Sequence, residues 1–414
     1  MIFKGLGQEV RKNIREYGMY IALFVIFVVF SILTDGIFIS PRNISNLLNQ
    51  TGYIAVIAVG MTLIIIIKHI DLSVGFLSGF LGAVAAIALT SWGFPVWLVI
   101  PFILVLGVIA GLLTAYPVAK LGIPSFVASL AGWLIYRGAL LLATIKSGTI
   151  IIPNDAFNAI GNGFIPDLFA SDNFLPGMHK FTLFIGLIAI IFIVYSSIKS
   201  RNSKIKYNFE ALPVDIFSLQ LFFMAILIGL VTWTLAGYNG MSWTLVIVLI
   251  VVGVYSFITK RTVIGRHIYA VGGNPEAAEL SGIDVKKITF MVFGSMGMLA
   301  GLSGILFASR LQSATTTAGT LLELDAIAAA YIGGVSADGG VGTIVGSLVG
   351  AIVYTSLTSG MNLMGVDISS QYIVRGAVLA GAVIFDISSQ YIVRGAVLAG
   401  AVIFDVASRK ISKK

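Results

Sequence analysis

The stretch PVWLVIPFILVLGVIAGLLTAYPV, residues 95–118, decides the fold, because it carries no charged side chain. As an α-helix it would cover about 36 Å, enough to cross a hydrocarbon core of roughly 30 Å. Comparable apolar blocks lie near 19–39, 51–69, 76–92, 124–143, 181–198, 217–236 and 242–258. None alternates at period two, as the strands of a transmembrane β-barrel must. The chain therefore reads as all-α, a polytopic transmembrane bundle of about 10 spanning helices with broken or re-entrant segments.

Composition leads to the same class. Of 414 residues, 58% are hydrophobic and 11% charged, against roughly 25% charged in a soluble domain. There is no cysteine, which removes disulfides, thiolate metal sites and cysteine nucleophiles. The three histidines, His69, His179 and His267, are too scattered for a metal cage. No metal, cofactor or catalytic set is expected. Neither Lys146-Ser147 nor Lys199-Ser200 follows the glycine a Walker A loop requires. Any ATP hydrolysis must come from another chain.

The 26 Lys and Arg exceed the 18 Asp and Glu by 8, and their placement assigns that excess to topology. Most fall in four groups: Lys4 to Arg15; Lys199 to Lys206; Lys260, Arg261, Arg266, Lys286 and Lys287; and Arg409 to Lys414. Short loops rich in Lys and Arg stay cytoplasmic, so all four groups are placed inside, and no nucleic-acid partner is expected. Six apolar segments between the first and second groups and two between the second and third keep the parity even. The expected organisation is a cytoplasmic N-terminal segment 1–18, one transmembrane domain 19–404 and a basic cytoplasmic tail 405–414. Basic Lys4 to Arg15 is followed by no small-residue cleavage site, so the first helix is expected to be retained. Trp92 and Trp97, like Trp233 and Trp243, flank outer turns as interfacial anchors do; a core role is the alternative. The polar stretch 145–180 is placed outside, as a long loop that is either functional or loosely ordered.

Residues 367–385 (DISSQYIVRGAVLAGAVIF) recur letter for letter as 386–404. The apolar part, Tyr372 to Phe385, would be about 21 Å of helix, too short to span alone. Two full crossings would carry the basic tail outside. One copy is expected to be dispensable.

Gly342, Gly346 and Gly350 recur every fourth residue on one helical face, a spacing that lets transmembrane backbones approach closely. Gly294, Gly297, Gly301 and Gly304, spaced by three and four, give an earlier helix a similar smooth side. Ionisable residues inside apolar segments are costly and mark function by default: Lys68, His69 and Asp71; Arg137; Glu323 and Asp325; Arg375 and its duplicate Arg394. Asp71, Arg137, Glu323 and Asp325 are the candidate translocation-pathway residues. A local i, i+3 ion pair between Lys68 and Asp71 is the inert reading. Asp71 and Asp325 each join an acid to small residues at the edge of an apolar segment, which suits broken helices lining a polar cavity.

The loop 259–287 holds GGNPEAAELSGI (272–283). Asn274 suits an N-cap, Pro275 the first helical position, Glu276 and Glu279 the positive end of the helix dipole, and Gly282 the C-terminal turn. This predicts a two-turn helix from Pro275 to Ser281. With Ala277 and Ala278 small, Leu280 is its one bulky side chain.

At this loop the sequence resembles the permease subunits of bacterial ATP-binding-cassette importers for monosaccharides, the ribose, xylose and galactose group. The resemblance rests on VGMTLIIIIKHIDLSVG (59–75), GIPSFVASLAGWLIYRG (122–138), GRHIYAVGGNPEAAELSGI (265–283) and ELDAIAAAYIGGVSADGGVGTIVGSLVGAIV (323–353), in that order. It implies a plasma-membrane protein working as a dimer of permeases, most simply a homodimer. A cytoplasmic ATPase subunit would sit below and a periplasmic or extracellular sugar-binding protein above. The segment Asn274 to Ile283 matches the family's ATPase-facing coupling segment, and Asp71 and Asp325 match its acidic membrane motifs. Lys68 and the doubled C-terminal segment depart from the pattern. An ion-coupled secondary transporter using Asp71 or Asp325 is the alternative function. Trp133, Tyr136, Arg137 and Gln312 can contact sugar, or serve as anchors and packing residues.

Overall fold

A computed structural model describes residues 14–145, 147–169, 175–209, 213–384 and 386. It is a helical bundle. The helices are α1 (Ile14–Leu33), α2 (Pro41–Ile66), α3 (Val74–Thr90), α4 (Val96–Leu121), α5 (Ser125–Thr144), α6 (Asp155–Asn162), α7 (Lys180–Lys206), α8 (Val214–Ala236), α9 (Trp243–Arg261), α10 (Val263–Gly273), α11 (Pro275–Leu280), α12 (Val285–Leu311), α13 (Leu322–Ile332), α14 (Ile344–Leu363) and α15 (Ile368–Ile384). Among the described residues, eight helices are long and apolar enough to cross a membrane; shorter apolar helices lie at Met19–Leu33, Val74–Thr90 and Ile368–Ile384.

α2 and α12 form the centre. α12 packs against α4, α3 and α2, and its glycines make that packing close. A Cβ on Gly297 would fall on the Gly107 carbonyl of α4, and one on Gly304 on the Ser78 carbonyl of α3. Where lipid offers no hydrophobic contrast, such backbone proximity supplies the attraction between helices. α7 and α8 lie at the periphery, with almost none of their apolar length buried. Trp92, Trp97, Trp233 and Trp243 are all exposed rather than core.

Contacts sort the bundle into two ends. At one, the Trp243 N–H that opens α9 donates to the Gly163 carbonyl at 3.1 Å, and β1 (Thr149–Ile151) pairs antiparallel with β2 (Ser313–Thr315). At the other, the Gly340 N–H donates to Ile66 O at the foot of α2 at 2.8 Å, beside the loop that carries α10 and α11.

Three expectations change. The described parts of 145–180 are built rather than loose. Besides β1 and α6, Asn162 donates to the Ser309 and Arg310 carbonyls at 2.9 and 3.1 Å, tying the segment to α12. Gly342 is not on the same helical face as Gly346 and Gly350, because Thr343 is the N-cap and α14 starts at Ile344; it packs on Val335 and Ile66 instead. Finally, the first copy of the duplication does cross the bundle. Its helix recruits the polar residues before Tyr372: Asp367 caps it through Ser370 N–H at 3.0 Å, and Gln371 donates to Asn362 Oδ1 and Val366 O at 2.8 and 2.9 Å. At the far end the Asp386 carboxylate accepts from Ala337 N–H at 3.1 Å, on the α10–α11 side. The rest of the second copy, Arg394 included, lies outside the described residues, as do 1–13 and the tail 405–414.

Candidate translocation and coupling sites

The segment between α9 and α12 is capped at every joint. Thr262 accepts from Gly265 N–H at 3.2 Å to start α10. Asn274 Oδ1 accepts from Ala277 N–H at 3.0 Å to start α11, with Pro275 at its first position. The end of α11 closes with Gly282 N–H donating to Glu279 O at 2.9 Å and Ile283 N–H to Ala278 O at 3.0 Å. That double turn needs a left-handed residue, and Gly282 supplies it with φ 84°. Asp284 then caps α12 through Lys287 N–H at 2.9 Å. The helix so fixed turns Ala278 inward and leaves Leu280 90% exposed, with Glu276, Ala277, Glu279 and Ser281 exposed around it. Isolated helices this short do not persist in water, so the caps at both ends hold these six residues in shape with Leu280 at the tip.

The ionisable residues of the membrane segments fall into two groups. The first surrounds the start of α3, where the chain between Ile66 and Val74 is not helical. Asp71, 2% exposed, accepts from Ser73 N–H at 2.9 Å and Ser73 Oγ at 2.6 Å. The neighbouring Ile70 N–H donates to Ser125 Oγ of α5 at 3.1 Å. A Cβ on Gly132 would lie 3.0 Å from Ser73 Cβ. Next to Gly132, Trp133 Nε1 donates to Glu323 Oε1 at 3.0 Å. Glu323 Oε2 is buried without a hydrogen-bond partner among the described residues. Arg137, one turn on, stacks over Trp133 and Phe76, 5.4 and 5.5 Å from the ring centroids. Asp71, Arg137 and Glu323 thus converge from three elements.

Asp325 belongs elsewhere. Two residues past Glu323, it points to the other side of α13, where it pairs with Arg375 and accepts from Tyr354 Oη at 2.6 Å. Arg375 Nε also donates to Tyr354 Oη at 2.7 Å, so α13, α14 and α15 are joined through one network. Lys68 and Asp71 do not pair: a helical i, i+3 relation does not hold in an unwound segment, and Lys68 Nζ donates instead to the Gly273 carbonyl at 3.0 Å. Gln312 takes the left-handed C-cap of α12 with φ 53°. The sequence reading missed the Trp133–Glu323 and Tyr354–Asp325 bonds. The charge balance held a signal for Arg375, since an unpaired base inside an apolar segment implies an acid facing it.

Residues 43–383 match a family described as branched-chain amino acid transport system, permease component. The chain is 38% identical over 374 residues to a xylose transport system permease protein of Haemophilus influenzae, covering 90% of this chain and 96% of that one. It is likewise 38% identical to the Escherichia coli K12 xylose transport system permease protein over 372 residues, 90% of this chain and 91% of that one. A ribose import permease protein of Haemophilus influenzae is 34% identical over 376 residues, 91% and 94% of the two chains. These relatives are named as permeases rather than enzymes. No solved structure matches the chain.

Proposed function

We propose, from the premise that this chain belongs to the permease family of ATP-binding-cassette sugar importers, that it forms the membrane pathway for a monosaccharide and is driven through α11 by a separate ATPase subunit. The observation that carries this is the capped α11 with Leu280 exposed at its tip, set among Lys260, Arg261, Arg266, Lys286 and Lys287. The basic rim supports a cytoplasmic position for this end and for both termini. The membrane is the bacterial plasma membrane.

In this reading the ATPase dimer closes on ATP and moves α11, and the bundle opens to the outside. Sugar released by an extracytoplasmic binding protein enters, and hydrolysis resets the cycle. Relatives named for xylose and ribose support a pentose as the cargo. Two permease copies, most simply identical, would complete one pathway. Within each, Asp71, Arg137 and Glu323 line it around the unwound start of α3. Asp325 serves as a fastener for α13. The ion-coupled alternative is weakened by the pairing of Asp325 with Arg375 and of Asp71 with Ser73.

The test is a pair of substitutions at exposed positions of the coupling segment. Leu280→Asp and Gly282→Val, assayed in vesicles with the ATPase and binding protein, are expected to leave the permease inserted and to abolish the stimulation of ATPase by sugar-loaded binding protein. Wild-type sugar uptake in both variants contradicts the assignment.

A further inference from the structure

Beside α11, three chain segments meet with no side chains to cushion them. A Cβ on Gly272 would fall on the Ile66 carbonyl oxygen and 2.8 Å from the Gly340 nitrogen; one on Gly340 would lie 3.0 Å from Gly273. Backbone packed on backbone passes displacement on with little loss, because no rotamer is free to absorb it.

Ile66 ends α2, which closes in the same double turn as α11: Lys68 N–H donates to Ile65 O at 2.9 Å and His69 N–H to Ile64 O at 3.0 Å. In α11 the left-handed position of that turn is Gly282, whereas in α2 it is Lys68, with φ 63°. A side chain there is held against a steric cost that glycine avoids. The side chain is engaged. Its Cγ occupies the space a Cβ on Gly339 would need, and its Nζ donates to Gly273 O at 3.0 Å, one residue before the Asn274 cap of α11. Three residues past Lys68 is Asp71, fixed to Ser73 and, through Ile70, to α5.

We propose that Lys68 is a positioning residue for energy coupling. Its ammonium ties the loop at Gly273 to the unwound segment 67–73, so that movement of α11 reaches Asp71 and the start of α3 directly, in addition to passing through α9 and α12. The proposal rests on the coupling reading of α11 and adds the route.

The experiment uses permease reconstituted with its ATPase and binding protein, and reads sugar moved per ATP hydrolysed together with the melting temperature. Lys68→Gly removes the tether while relieving the left-handed strain. Its melting temperature is expected to hold or rise, while sugar moved per ATP falls about tenfold. Lys68→Arg, which can reach the same carbonyl, is expected to restore most of the loss. Wild-type coupling in Lys68→Gly overturns the proposal, as does a Lys68→Arg no better than Lys68→Gly. Leu280→Asp run alongside separates the two readings. If it uncouples and Lys68→Gly does not, the tether fails and the coupling role of α11 stands; if neither uncouples, both fail.

Discussion

Asp325 on α13 is ion-paired with Arg375 on α15, and Tyr354 of α14 bonds to both. Two opposite charges held away from water are worth little as a pair compared with an apolar substitute, but removing one strands the other. Because Arg394 repeats Arg375, the measurement belongs in a chain lacking 386–404. There Arg375→Ala is expected to destabilise the folded permease by about 3 kcal/mol or more. Arg375→Leu combined with Asp325→Leu should recover most of that. Thermal unfolding of the single and double variants in detergent checks it. Additive effects would mean that the two residues do not depend on each other.

The duplication makes a second prediction. Deleting 386–404 places Asp405 directly after Phe385, so an aspartate again stands where Asp386 accepts from Ala337 N–H. The bonds of Asp367 and Gln371 described above are untouched by the deletion. Uptake and melting temperature of the deletion are expected to match the full chain, and complete loss of uptake would show that the second copy is integral.

Trp133 is the side-chain donor to a carboxylate that sits 4% exposed. Trp133→Phe keeps the edge contact with Phe76 possible but takes the donor away, leaving Glu323 poorer by one bond. The expected cost is about 1–3 kcal/mol, read as a lower melting temperature. Adding Glu323→Met should return part of it. A Trp133→Phe protein as stable as the parent would remove the Trp133–Glu323 bond from the account.

Outside the membrane segments, Asp167 gives a pH dependence. Slight desolvation pushes its carboxyl up, but the N–H groups of Lys180, Phe169 and Phe181, with His179 nearby, outweigh this and hold it below the ordinary carboxylate range. A depressed acid contributes stability above its unfolded pKa, near about 3.9, and loses it as pH falls through the folded value. Protection of the Lys180 and Phe181 amides, measured relative to their intrinsic exchange rates, should therefore fall below about pH 4, and Asp167→Asn should lower it at neutral pH. Protection that ignores both changes would show that Asp167 does not order this joint.

The sequence made legible what depends on local chemistry. Helix positions followed from apolar length, and α11 from the Asn274-Pro275 start and the Gly282 stop, since capping acts over four residues. What it hid depends on residues far apart in the chain. β1 is three residues long, and its partner β2 lies more than 160 positions on, so no periodicity announces it. Asp325 and Arg375 stand fifty residues apart and meet only once α15 has crossed back. The four pathway candidates carried no sign that Asp325 faces away from the other three, because that depends on which sides of α13 meet α3 and α14. Gly342 looked helical by spacing, and one threonine cap placed it outside α14.

The central claim is that this chain is a pathway worked by another protein's ATP hydrolysis through α11. The most direct measurement compares sugar accumulation in vesicles holding the purified chain alone with vesicles holding it together with its ATPase subunit, binding protein and ATP. The account predicts accumulation against a gradient only in the complete system, and its loss when Leu280→Asp replaces the wild-type permease. Accumulation by the chain alone would contradict it.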